Sequence, residues 1–468
     1  MKHIFFLFLC TCFTIAYGQD KIAHLANMED ILADTTIVRY SSPNVVVMYS
    51  SYGTSNHIFH IVDTKNNMRW SFPVDEVVKD FEILDDTVYY CGDEGYPEVG
   101  IFALNDVYTG SFIIKNFWFG SVIAIPKRLE VFRASGGIHV VIVGDFLNAT
   151  PTNSFIADVW SPYSSSLTNW DMAVLITVGK EQYDDIAVTD NYVVASANSY
   201  GTSDIILKVL HRPASTFIGV YPNSNIFSTD YPSPGSAVGN FFFHSGDYYR
   251  VSGYGKYPIR IAHTSGDNIV LACMADNNST QYGVTIKDIN IVAGVPNVQR
   301  NMFSPWGGGL KYFWDVRDIR YNYEKDSVLL LVDREYPFYS SNIRSEIIRT
   351  DYSTLSPFTL TAPILEVEKL HSMDMFIAEL YDGGSTQIKY GAISTGSHVS
   401  WPTSYPLFWS NTLLIGSCEK SENMNVDRGK AEFNMQVLPD EIFYNPNVPI
   451  ELIQVEVTVD TIDVICNN

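Results

Sequence analysis

The stretch Asp85–Gly95, DDTVYYCGDEG, decides how the rest of the chain is read. It is an acidic turn, then a short run with apolar residues on both faces, then a break containing glycine. Cousins appear as TDNYVVASANSYG from Thr189, SGDNIVLACMADN from Ser265 and EKDSVLLLVDREY from Glu324. After a polar gap each is followed by a second strand-like run: VGIFALND from Val99, DIILKVLH from Asp204, YGVTIKDI from Tyr282 and SEIIRTDY from Ser345. Three further pairs share the design. NVVVMYS from Asn44 precedes HIFHIVDTK from His57, IHVVIVGD from Ile138 precedes SFIADVW from Ser154, and MFIAEL from Met375 precedes TQIKYGAI from Thr386.

The first run of a pair is apolar without alternation, which suits a strand buried on both faces. The second tends to alternate, which suits a strand with one face nearer solvent. Gaps rich in Asn, Asp, Ser, Gly and Pro supply the turns. From Val45 the first runs return near Val88, Ile138, Tyr192, Ile269, Val328 and Met375, at intervals of 43, 50, 54, 77, 59 and 47 residues. Apart from the one long step, this is the ~40–50-residue period of a four-stranded propeller blade. A single blade cannot bury both faces of its sheet, whereas blades stacked around an axis bury them for one another. The expected fold is therefore all-β, a β-propeller of seven blades, with six or eight inside the tolerance of the count. A pair of β-sandwich domains is the rival, but it would not return one motif at this interval. Few stretches hold a helical apolar stripe, and 29 Tyr, 27 Phe, 30 Gly and 21 Pro suit strands and turns better.

The N-terminus, MKHIFFLFLCTCFTIAYGQD, has a basic start at Lys2, an apolar run from Ile4 to Ile15 and the small-x-small site Ala16-Tyr17-Gly18. Those are the parts of a secretory signal peptide, and the run is short for a membrane span. The expected division is a leader over 1–18, a propeller over 37–418, and a C-terminal strand segment over 419–468 that can close the ring. The protein is then exported to the periplasm, the cell surface or the outside, and the mature chain inserts in no membrane. Cleavage leaves Cys91 and Cys273 inside apolar runs, read as buried free thiols, and Cys418 and Cys466 as the pair to test for a bridge.

With 30 Lys+Arg against 52 Asp+Glu, the formal charge is −22. That balance, with no basic cluster, sets nucleic acid aside as a partner. Motifs for a nucleophile elbow, a zinc protease helix, a phosphate loop, a dinucleotide fold and a calcium loop are all missing. His57 and His60 lie three apart on a strand, so they point to opposite faces and cannot share an ion. No cofactor, no metal site and no catalytic residue is assigned.

The repeats DDTVYYCGDEG and VGIFALND, with RLEVFRASGGIHVVIVGD from Arg128, resemble those of uncharacterised secreted β-propeller-like proteins of gut Bacteroidales. The likeness covers most of the mature chain in weak repeats and is specific only in those strings. It implies export and a propeller-like scaffold, and it supplies no catalytic residues.

Function rests on two kinds of side chain. Dense aromatics in FFFHSGDYYR (Phe241–Arg250) and SPWGGGLKYFW (Ser304–Trp314) offer platforms for sugar rings or anchors for protein partners, with His244, Tyr248, Tyr249 and Trp306 as the candidate binding residues. The expected role is a binding or interaction module for a carbohydrate or a protein. The alternative is a glycoside hydrolase using axial carboxylates, for which Asp80, Asp185 and Asp318, each ahead of an apolar run, are the candidates. Turn chemistry alone also places Asp at strand entries. A scaffold subunit of a surface complex is the third reading.

Overall fold

The computed structural model describes residues 21–24, 35–42, 44–52, 56–63, 65–93, 97–118, 124–134, 137–146, 154–161, 170–177, 181–199, 205–212, 239–243, 259–276, 282–305, 312–322, 327–335, 343–351, 357–360, 370–378, 387–394, 406–410, 425–427, 433–436, 440–448, 450–461 and 463–466. These are almost entirely strands, with one four-residue helix, Leu104–Val107. The strands form seven antiparallel sheets.

Sheet 1 runs Thr35–Ser42, Val45–Tyr52, Asn56–Asp63 and Met68–Val74, each strand paired with the next. Sheet 2 repeats the order with Val77–Leu84, Thr87–Asp93, Pro97–Ala103 and Ser111–Trp118. Sheet 3 begins with Ala124–Ala134, sheet 4 with Glu181–Val188, sheet 5 with Arg260–His263, sheet 6 with Tyr312–Asn322 and sheet 7 with Leu370–Ala378. The opening stretch, Thr87–Asp93, is the second strand of sheet 2. Its entry turn, Asp85-Asp86, has φ of 51° and 55° at the two residues. Left-handed backbone at both central positions is what a two-residue hairpin needs to match the twist of its strands.

The apolar runs are second strands, sandwiched between sheets. Val47, Val88, Val141, Val193, Leu271 and Leu330 are buried. Core clusters fill the spaces between sheets 1 and 2, 2 and 3, 3 and 4, 4 and 5, and 5 and 6. The first is the most aromatic: Phe72 meets Phe102 at 5.1 Å and Phe112 at 4.7 Å, both edge-on. Edge-to-face rings of this kind add to the area they bury. Gly100 is required here, because a Cβ at that position would overlap the Tyr90 ring. Cys91 and Cys273 are buried free thiols in these layers.

Sheet 7 departs from the expected register. The run at Met375 belongs to a first strand, Leu370–Ala378, and not to a second one. Only three strands come from this part of the chain, the others being Gln387–Ser394 and Pro406–Ser410. The fourth is Lys21–His24, hydrogen-bonded to Pro406–Ser410 on one side and to Asp463–Cys466 on the other.

The C-terminal strands are spread over six sheets. Asn425–Asp427 adds a fifth strand to sheet 5, Phe433–Gln436 to sheet 4, Asp440–Val448 to sheet 3, Ile450–Glu456 to sheet 2, Thr458–Thr461 to sheet 1 and Asp463–Cys466 to sheet 7. The tail thus visits the sheets in reverse order and covers one open edge after another. Unpaired edges invite pairing with other chains, and an added strand blunts them. Among the described residues sheet 6 has four strands.

Candidate functional site

The first strands are neighbours of one another. Thr35–Ser42 lies beside Val77–Leu84, that beside Ala124–Ala134, and so on through Glu181–Val188, Arg260–His263, Tyr312–Asn322 and Leu370–Ala378, which lies beside Thr35–Ser42. Each first strand of sheets 1 to 6 brings one charged residue to this meeting place, and the signs alternate: Arg39, Asp80, Arg128, Asp185, Arg260, Asp318. In sheets 2, 3, 4 and 6 an extra residue, Lys79, Lys127, Asp184 or Arg317, breaks the pairing just before the charged one. A bulge re-aims the side chain that follows it. Because strand side chains alternate, residues two further along share the face, which adds Glu82, Glu130 and Arg320. Between them Phe81, Leu129 and Ile319 are buried in the cores.

The charges are closely paired. Arg39 places Nη2 2.8 Å from Asp80 Oδ1 and Nε 2.8 Å from Glu82 Oε1. Arg128 Nη1 stands 3.5 Å from Asp80 Oδ1 and its Nε 3.9 Å from Asp185 Oδ1. Arg320 Nη1 is 3.3 Å from Asp318 Oδ1 and its Nη2 4.0 Å from Glu82 Oε1. The carboxylates also tie sheets together, since Leu129 N–H donates to Asp80 Oδ2 (3.2 Å) and Ile261 N–H to Asp185 Oδ2 (3.0 Å). Guanidiniums reach backbone carbonyls: Arg128 Nη2 donates across the cluster to Arg317 O (3.1 Å), and Arg260 Nε to the same oxygen (2.9 Å). Arg39 and Asp80 are almost wholly buried, and Glu82, Arg128, Glu130, Arg260 and Arg320 are half-buried. Beside the cluster, Lys127 Nζ is 2.7 Å from Asp145 and 3.7 Å from Asp184.

The three candidate carboxylates come together, in first strands rather than in entry turns. Asp185 and Asp318 differ in acidity. Burial pushes Asp185 up, and the Arg260 and Arg128 charges only partly offset it. Burial acts the same way on Asp318, but Arg320, Arg39, Arg128 and Arg260 together outweigh it and hold its carboxyl below the ordinary value. All three have an arginine within 4 Å. A carboxylate whose charge is shared with a guanidinium this close is a weakened nucleophile.

The binding candidates His244, Tyr248, Tyr249 and Trp306 lie outside the described residues, as do the leader, most of the long step 212–257, and Cys418. Their neighbours are placed. The fourth strand of sheet 4, Gly239–Phe243, ends one residue before His244, and that of sheet 5, Val295–Pro305, ends one residue before Trp306. These two strands are close to each other.

Sequence reasoning missed two buried polar knots. Between sheets 1 and 2, Asn116 Nδ2 donates to Glu76 Oε1 and lies 3.3 Å from Glu98 Oε2, while the Tyr90 hydroxyl sits 3.1 Å from Asn116 Oδ1 and 3.3 Å from Glu76 Oε2. In sheet 3, His139 Nδ1 is 3.0 Å from Asp158, its ring stacked between Phe132 and Trp160. The two strand histidines are core groups: His57 meets the Tyr49 hydroxyl, and His60 bridges Ser50 and Ser71. Burial, then Arg69, pushes His60 down to about 3. No group of three or more metal-ligating side chains occurs among the described residues, nor any helix long and apolar enough to cross a membrane.

No protein-family model matches the chain, and no curated protein matches it. Among solved structures it is similar to prolyl oligopeptidase B from Galerina marginata, bound to a hydrolysis and macrocyclization substrate. The identity is 9% over 77% of this chain and 55% of that one, with a TM-score of 0.29, and a likeness of that size carries no argument.

Proposed function

We propose that the seven sheets are the blades of a β-propeller, and that the exported chain is a binding or interaction module for a carbohydrate or a protein. The propeller reading is supported by first strands that neighbour one another in sheet order and by cores shared between successive sheets. The binding reading rests on one observation above others: the axial carboxylates a hydrolase would use, Asp80, Asp185 and Asp318, are each tied to arginine. With Arg128 reaching across to Arg317 O, this layer of the axis is filled by side chains, which leaves the faces and loops for a partner. Tyr248, Tyr249 and Trp306 follow strands of adjacent sheets and are the first residues to replace.

The test is glycan-array binding by the mature protein from Asp20, followed by a hydrolysis assay on every hit. A glycan bound but left uncut, with binding lost in Tyr249→Ala or Trp306→Ala, is the expected outcome. No glycan bound leaves a protein partner. One observation favours the hydrolase as second reading: Glu130 forms no ion pair among the described residues and stands on the same face as Glu82 on the neighbouring strand. Cleavage that disappears in Glu130→Gln would put that reading first.

A further inference from the structure

Five carboxylates line the central cluster, and four of them are held by guanidinium groups: Asp80 and Glu82 by Arg39, Asp185 by Arg128, and Asp318 by Arg320. Glu130 is the fifth. It projects from Ala124–Ala134 on the face shared with Arg128, half-buried, with no ion pair among the described residues. Its strand packs against Val77–Leu84, which brings Lys79, Asp80 and Glu82, and against Glu181–Val188, which brings Asp184 and Asp185. The other strands against it carry Cys91 and Asp93, Glu98, and His139 and Asp145. Glu98 is engaged by Asn116, His139 by Asp158 and Asp145 by Lys127. Across the cluster stand Arg39, Arg260, Asp318 and Arg320. The groups acting most strongly on Glu130 are thus three carboxylates, Glu82, Asp185 and Asp80, against the single guanidinium of Arg320.

We propose that Glu130 is a proton seat at the centre of the fold: the folded protein keeps a proton on this carboxyl, and the cluster loosens when that proton leaves. An ionised Glu130 would be a fourth negative charge beside three, with no compensating hydrogen bond among the described residues, in surroundings that solvate it poorly. Burial first, and then Glu82, push its carboxyl well above the ordinary glutamate range.

The direction of the pH effect follows from linkage. In the unfolded chain Glu130 ionises at its ordinary value, while in the folded protein it holds the proton to higher pH. Between those two values the folded state binds more protons, so stability falls as pH rises. The favourable contribution is complete below the unfolded value and gone above the folded one. His60 works the other way and on the acid side, because its folded form resists protonation down to about 3.

Thermal unfolding of the mature protein and of Glu130→Gln, from about pH 5 to about pH 8, isolates the contribution of this carboxyl. Glutamine keeps the shape and removes the titration. The expected result is a midpoint that falls with pH in the native protein, falls less in the variant, and is higher in the variant at the alkaline end. Identical slopes overturn the proposal. Should Glu130→Gln fail to fold, the native protein decides alone. Its infrared spectrum at neutral pH should show the carbonyl stretch of a protonated carboxyl, lost on raising pH in step with the loss of stability. A folded protein without that band also overturns it.

Discussion

The first and second strands of each sheet lie side by side and antiparallel, yet they are held by opposite means. A second strand such as Ser327–Glu335 presents Val328, Leu330 and Val332 to one neighbouring sheet and is buried along its middle. A first strand such as Val77–Leu84 alternates buried apolar residues with charges that meet their opposites on the adjoining first strands, and in Tyr312–Asn322 the opposites Asp318 and Arg320 meet within the strand. Second strands are fastened by non-directional burial, which is forgiving of which apolar residue stands where. First strands are fastened by paired charges, where removing one partner strands the other. The first strands are therefore the more brittle part, although they are the less hydrophobic.

The largest expected effect tests that claim directly. Arg39→Met removes the two 2.8 Å contacts to Asp80 and Glu82 and leaves the longer ones, Asp80 to Arg128 at 3.5 Å and Glu82 to Arg320 at 4.0 Å. Breaking a buried pair from one side costs about 3–5 kcal/mol, read as a lower denaturant midpoint. Combining it with Asp80→Leu should recover part of the loss, because the uncompensated charge is gone. If Arg39→Met costs no more than a surface change, the ion cluster is ornament and the comparison fails.

Leu330→Ala asks the same of a second strand. The side chain is fully buried between sheets 5 and 6. Its truncation should cost about 2–5 kcal/mol, with the lower part of that range where the sheets can close on the cavity. Leu330→Met should be nearly silent, since cores tolerate swaps of equal volume. No equally mild replacement exists for Arg39, and that asymmetry separates the two kinds of strand.

The same contrast explains what the sequence made legible. Runs such as Val45–Ser50, Thr87–Gly92 and Ser327–Asp333 announce themselves because burial on both faces leaves an unbroken apolar string. Third strands such as Ile205–His211 alternate in sequence, which predicts one face turned toward solvent, yet they are buried along their length, Lys208 included, because neighbouring sheets cover both faces. First strands are harder to see, since charges interrupt them and a bulge breaks their period of two. Asp80, Asp185 and Asp318 were visible as a recurrent position but read equally well as turn residues. The signal that separates the readings is the alternation of sign, Arg39, Asp80, Arg128, Asp185, Arg260, Asp318, which turn chemistry has no reason to produce. Strand Lys21–His24 and the tail pieces are short, and no local pattern tells which sheet a three- to nine-residue strand will join. That information lies in the edges left open elsewhere, so sheet 7 was misregistered by one strand at Met375.

The smallest expected effect lies in the tail, where a third kind of attachment appears. Ile450–Glu456 pairs through its backbone with Ser111–Trp118, and its burial alternates: Leu452 is 62% exposed while Val455 is 6% exposed. Leu452→Ser should change stability by no more than about 0.5 kcal/mol, as for other surface sites, because the side chain lies outside the cores. Val455→Ser, three residues on, removes a side chain from the aromatic core between sheets 1 and 2 and places a hydroxyl there. It should cost about 1–3 kcal/mol. Limited proteolysis within the tail is the sensitive readout, since local release can occur without global unfolding. If Leu452→Ser frees the tail as readily as Val455→Ser does, the strand is held by its outward face, against something other than its own sheets. If only Val455→Ser does, the tail is a clasp seated on the sheets through every second residue, and its outward residues are free to vary.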